Sequence, residues 1–80
     1  MRPARTEAEL ADRASRFLKA ELKRAGVTYG ELAVRLRAYG LSEETPDSIK
    51  SKLKRGTFPA TFLIAALAAI EREVVRLEDV

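Results

Sequence analysis

Cysteine, histidine, tryptophan, asparagine and glutamine are all missing from these 80 residues. Without cysteine there is neither a disulfide nor a thiolate metal site, so packing alone must hold the core, and the redox compartment is left open. Without histidine the commonest general base and the commonest transition-metal ligand are lost together. Catalysis would fall to carboxylates, lysine, serine or tyrosine, and nothing in their spacing suggests it. Glu43 with Glu44, and Glu71 with Glu73, read as solubilising charges rather than acid–base pairs, so no enzyme activity, metal or cofactor is expected. No stretch approaches the roughly 18 apolar residues of a membrane span. MRPARTEAEL has no apolar run ahead of its first acids, which predicts no signal peptide and a cytoplasmic protein.

What is present is a balance of apolar and charged residues, 46% and 34%, that fits one small globular domain near the lower size limit for a single core. The formal net charge is +3, but it is unevenly placed. Residues 71–80 hold four acids against Arg72 and Arg76, which leaves about +5 on the first 70 residues. That basic portion suits a polyanion.

Residues 1–6 are basic, carry Pro3 and read as a loose arm. From Glu7 to Ala25 the pattern is strongly helical: Thr6 can cap the start, Glu7 and Glu9 lie in the first turn, Lys23 and Arg24 in the last, and Gly26 ends it. Leu10, Ala14, Phe17, Leu18, Leu22 and Ala25 form its apolar stripe. Thr28-Tyr29-Gly30-Glu31 is a capping box that opens a second helix, expected to run to about Tyr39 and to bury Leu32, Ala33 and Leu36. Gly40 terminates it, and residues 41–44 form a polar connection.

The stretch TPDSIKSKLKRG, Thr45 to Gly56, then carries a complete set of helix-end signals. Thr45 caps it, Pro46 suits the first position, Asp47 the positive end of the dipole, Lys54 and Arg55 the negative end, and Gly56 the left-handed stop. Only Ile49 and Leu53 are large and apolar, and they share one face. So short a helix is held by that two-residue stripe, with a basic, hydroxyl-rich surface turned outward.

Pro59 begins the last helix. Phe62 to Ile70 is apolar without a break, and Leu63, Leu67, Ile70, Val74 and Leu77 follow at intervals of 4, 3, 4 and 3 as a candidate dimerisation seam. Packing of this helix against the first explains much of the same pattern, so a homodimer and a purely internal seam both stay open. The residues thus predict an all-α fold of four helices, five if the last is split, with a single domain over residues 7–80 that ends in a long helix.

ELKRAGVTYGELAVRL followed by SIKSKLKRGTFPATFLIAALAAI resembles the helix-turn-helix domains of the lambda-repressor-like, XRE type, over roughly Leu18 to Ile70. More narrowly, the strings G-V-T-Y-x-E-L-A and R-G-T-F are similar to those of a family of short bacterial proteins with a domain of unknown function. The resemblance implies a transcription regulator that binds double-stranded DNA, with helix 46–55 as its recognition helix. Ser48, Lys50, Ser51 and Lys52 would read or abut the groove, Lys54, Arg55 and Thr57 would contact backbone, and Thr28 and Tyr29 would touch phosphate. Here Arg37-Ala38-Tyr39 intervene before the glycine of the turn, and residues 41–48 exceed the usual connection. The lack of asparagine and glutamine removes the commonest adenine-reading side chains, which shifts specificity to lysine, arginine, hydroxyls and DNA shape. RNA binding through the same basic surface stays open, although only Tyr29, Tyr39 and three phenylalanines are available to stack on bases and most of them read as buried. The competing class is a protein-interaction adaptor, antitoxin-like, that grips a protein partner through the last helix.

Overall fold

Helix ends organise this chain, because so many of them are closed by side chains. The structure is a computed structural model that describes residues 1–80. It contains α1 (Glu7–Ala25), α2 (Tyr29–Leu36), α3 (Pro46–Arg55) and α4 (Ala60–Ala69), with single 3-10 turns at Arg37–Tyr39 and Leu77–Asp79 and no strands. Thr6, Thr28 and Thr45 each accept the backbone N–H three residues on, at 3.1 Å, so the first three helices start where the capping residues predict. At the far end of α1, the Val27 N–H reaches the Leu22 carbonyl and the Gly26 N–H the Lys23 carbonyl, a left-handed closure that also buries Val27.

The core takes Leu18 and Leu22 from α1, Leu32, Ala33 and Leu36 from α2, Ile49 and Leu53 from α3, and Phe62, Ala65, Ala66 and Ala69 from α4. Alanines at 33, 65, 66 and 69 let the α2 and α4 backbones approach. At a helix C-terminus the last carbonyls have no partner within the helix. Two of these ends are closed by a neighbouring helix: the buried Ser15 hydroxyl of α1 donates to the Leu53 carbonyl of α3, and the Arg35 guanidinium of α2 donates to the Ala69 carbonyl of α4 at 2.9 Å. Gly56 brings α3 still closer to α1, since a Cβ there would stand 2.6 Å from the Ala11 carbonyl carbon.

Three expectations change. The buried face of α1 is rotated, so Ser15, Leu18, Glu21 and Leu22 point inward while Leu10 and Ala25 are exposed. Regular α-helix stops at Leu36, and Tyr39 faces solvent because the 3-10 turn swings it off the core face. Residues 1–6 have no helix or strand, and the Arg13 guanidinium donates to the carbonyls of Arg2 and Pro3.

The largest correction concerns the last helix, which ends at Ala69 instead of continuing through Leu77. The Glu71 and Arg72 N–H groups close on the carbonyls of Ala68 and Leu67, at 3.0 and 2.9 Å. Arg72 is then drawn to Glu21 of α1 at 3.1 Å, to Asp79 at 3.0 Å and to the Val74 carbonyl at 2.9 Å, which folds the tail back on itself. The expected seam is therefore split. Leu63, Leu67 and Ile70 pack on the domain core, whereas Val74 and Leu77 stand 72% and 71% exposed on the tail beyond α4.

Candidate nucleic-acid interface

The helix α3 is fixed at both ends and along one side. Thr45 and Ser48 exchange bonds at its start, with the Ser48 hydroxyl accepting from the Thr45 N–H at 2.8 Å and donating to the Glu44 carboxylate at 2.7 Å. Ile49 and Leu53 are wholly buried between α1, α2 and α4. Gly56 ends the helix with its N–H on the Lys52 carbonyl at 2.9 Å. This leaves Asp47, Lys50, Ser51, Lys54 and Arg55 exposed on the outward side.

Lys52 does not belong to that surface. Its ammonium pairs with Glu44 at 3.0 Å, the two side chains keeping 19% and 13% of their exposure, and it lies 5.6 Å from the centre of the Phe62 ring. Ser48 is likewise engaged with Thr45 and Glu44 and half-buried. Both side chains hold α3 against α4 and the preceding connection. Glu44 is the partner that sequence reasoning missed, although a lone acid eight residues before a lysine, just outside a helix, offered little signal.

Lys50, Lys54 and Arg55 have no ion-pair partner in the structure, whereas Arg16, Arg24, Lys52 and Arg76 each have one and Arg72 has two. Lys50 and Lys54 are also one helical turn apart, a like-charge pair that costs an isolated helix about 0.2–0.5 kcal/mol. Ser51 lies between them in sequence, and Thr57 is exposed just beyond the glycine.

Thr28 and Tyr29 enter the same region from α2. A Cβ on Gly30 would lie 4.0 Å from the Pro46 ring and 3.9 Å from the Thr28 hydroxyl, so the amino ends of α2 and α3 adjoin. The Thr28 hydroxyl is committed, accepting the Glu31 N–H and donating to the Glu31 carboxylate at 3.1 Å, and Tyr29 packs partly on the core. Between α2 and α3 runs a nine-residue connection, residues 37–45, steadied by the half-buried Leu41, whose N–H meets the Leu36 carbonyl at 3.1 Å. The predicted site residues thus divide into an outward set of Lys50, Ser51, Lys54 and Arg55 on α3 with Thr57 just beyond it, and an engaged set of Thr28, Tyr29, Ser48 and Lys52.

Residues 10–75 match the model of a domain of unknown function, DUF6471, from the middle of the first turns of α1 to the tail. The chain belongs to the DUF6471 family. No curated protein and no solved structure matches it. The DUF6471 match takes in all of α2, α3 and α4, the Gly56 contact with Ala11, and Arg72 with its partner Glu21, so the devices that hold α3 in place all fall within the family region. No helix of this DUF6471 protein is long and apolar enough to cross a membrane.

Proposed function

We propose that the protein is a duplex-DNA-binding regulator of the lambda-repressor-like helix-turn-helix kind, with the outward side of α3 as its contact surface. One observation carries this reading: Lys50, Lys54 and Arg55 are exposed, without acid partners, on a helix that is fastened at both ends and along its inward side. A rigid short rod with free cations suits phosphate contact, and counter-ion release from the duplex would supply most of the affinity. Asp47 and Ser51, on the same side nearer the amino end, are acceptor and hydroxyl groups of the kind that meet cytosine N4 and other base edges in a major groove. Lys52 and Ser48 serve the reading indirectly, by holding the helix. Pairing of two copies, where it occurs, would use the exposed apolar groups Ile64, Val74 and Leu77 along α4 and the tail.

A fluorescence-anisotropy titration of a mixed-sequence duplex over a salt series tests the assignment. The variant K50Q/K54Q/R55Q is expected to bind more weakly, with the slope of log K against log salt reduced by about 2.7, or 0.9 for each lost phosphate contact. An unaltered slope in a variant that still folds removes α3 as the contact surface.

A further inference from the structure

The α1–α3 seam carries a second line of free cations. Two contacts fix how these helices run past each other: Ala11 meets Gly56, and Ser15 meets the Leu53 carbonyl. Residue numbers rise on α1 as they fall on α3, so the helices are antiparallel. Ala11, Ser15, Lys19 and Lys23 are spaced four apart and form one ridge of α1. The first two members of that ridge touch α3. The next two are exposed, without ion partners, and emerge along the same seam toward the amino end of α3.

The matching bank lies on α3. Lys52 marks the flank turned to Phe62 of α4, and at about 100° per residue Lys50 and Lys54 occupy the opposite flank. Four lysines, 19 and 23 on one helix and 50 and 54 on the other, therefore border a single seam. Each bank is a like-charge pair one turn apart, which weakens its own helix slightly and gives nothing back within the fold.

Resting on the DNA-binding reading above, we infer that Lys19 and Lys23 are a second set of phosphate contacts, so that one strand of the duplex backbone tracks the α1–α3 seam beside α3. Their side chains start about 6 Å apart, so the two ammonium groups can meet separate phosphates of one strand. The lysines add affinity without sequence preference, and α1 becomes part of the binding surface as well as part of the core.

The test compares K19Q/K23Q with K50Q/K54Q and with R37Q, an exposed cation on the 3-10 turn, in the same anisotropy salt series on a mixed-sequence duplex. K19Q/K23Q is expected to lower the slope by about 1.8 and to weaken a random duplex and any preferred duplex by the same factor, while R37Q changes the slope by less than about 0.3. Thermal melts should show K19Q/K23Q folded nearly as well as the unaltered chain, since the repulsion removed offsets the loss of one cation from the last turn of α1. A parental slope in K19Q/K23Q together with a reduced one in K50Q/K54Q overturns this inference and leaves the DNA-binding reading intact. An equal fall per charge in R37Q also overturns it, by pointing to net charge alone. Absence of duplex binding by the unaltered chain overturns both.

Discussion

Lys52→Met keeps the aliphatic stem beside the Phe62 ring but removes the ammonium that faces Glu44. The Glu44 carboxylate would keep only its bond from the Ser48 hydroxyl, in a pocket where it is mostly shielded from water. Losing a charge-assisted bond and a cation–ring contact there should lower unfolding free energy by about 1–2 kcal/mol in urea titration. Lys50→Met, two positions along and exposed, should stay within about 0.5 kcal/mol of the parent while weakening duplex binding. The two glycines that end α1 and α3 separate backbone from contact in the same way. Gly26 and Gly56 both have φ near +70°, but only Gly56 faces another helix backbone. Gly26→Ala should cost about 1 kcal/mol for the left-handed conformation alone. Gly56→Ala adds the collision with the Ala11 carbonyl and should lose about 3 kcal/mol or more, and equal melting temperatures for the two variants would mean that α1 and α3 do not meet there.

Among the elements, α4 is the one whose end the residues hid. The stops of α1, the 3-10 turn and α3 are written in Gly26, Gly40 and Gly56, and each is found where its glycine stands. The stop of α4 puts Glu71 in the left-handed region at φ 60°, where a glycine would be at ease and glutamate is not. It is imposed from outside, by Arg35 on the Ala69 carbonyl and by Arg72 on Glu21, partners 34 and 51 residues away in the chain. Local periodicity continued past Ile70 and could not register those pairings. The rotation of α1 has a similar origin, because Ser15 is buried by its bond to α3 and Glu21 by two arginines, neither of which a hydrophobic pattern reveals. On α3 the start, stop and inward face could be read from local chemistry, but Lys52 could not be told from Lys50 without knowing where Glu44 and Phe62 lie. Glu71→Gly offers a check on the imposed stop. It should raise stability by about 0.5 kcal/mol in chemical denaturation, the relief of left-handed strain exceeding the added freedom of the unfolded chain. A loss of stability would mean that the glutamate side chain makes a contribution of its own.

For the molecule as a whole, the arrangement of charge matters more to the proposed function than the net +3. The tail that carries Glu71, Glu73, Glu78 and Asp79 is hooked to α1 through Arg72 and Glu21, while the free lysines of α3 stand on the outward side of a different helix. Glu21 is buried on the inward side of α1 whereas Lys19 and Lys23 are exposed, so the hook anchors the tail on a different side of α1 from that ridge. With a screening length of about 8 Å at physiological salt, exposed charges on different sides of a body 35 × 23 × 20 Å in extent act nearly independently on a bound polyanion. The double exchange K50E/E73K keeps the net charge unchanged and moves a positive charge from α3 to the tail. If the duplex lies against α3, this variant should bind as poorly as K50E alone, roughly tenfold below the parent near 0.15 M salt, and E73K alone should bind within about twofold of it. Recovery of parental affinity in K50E/E73K would show that the duplex responds to total charge and that α3 has no privileged place in the complex.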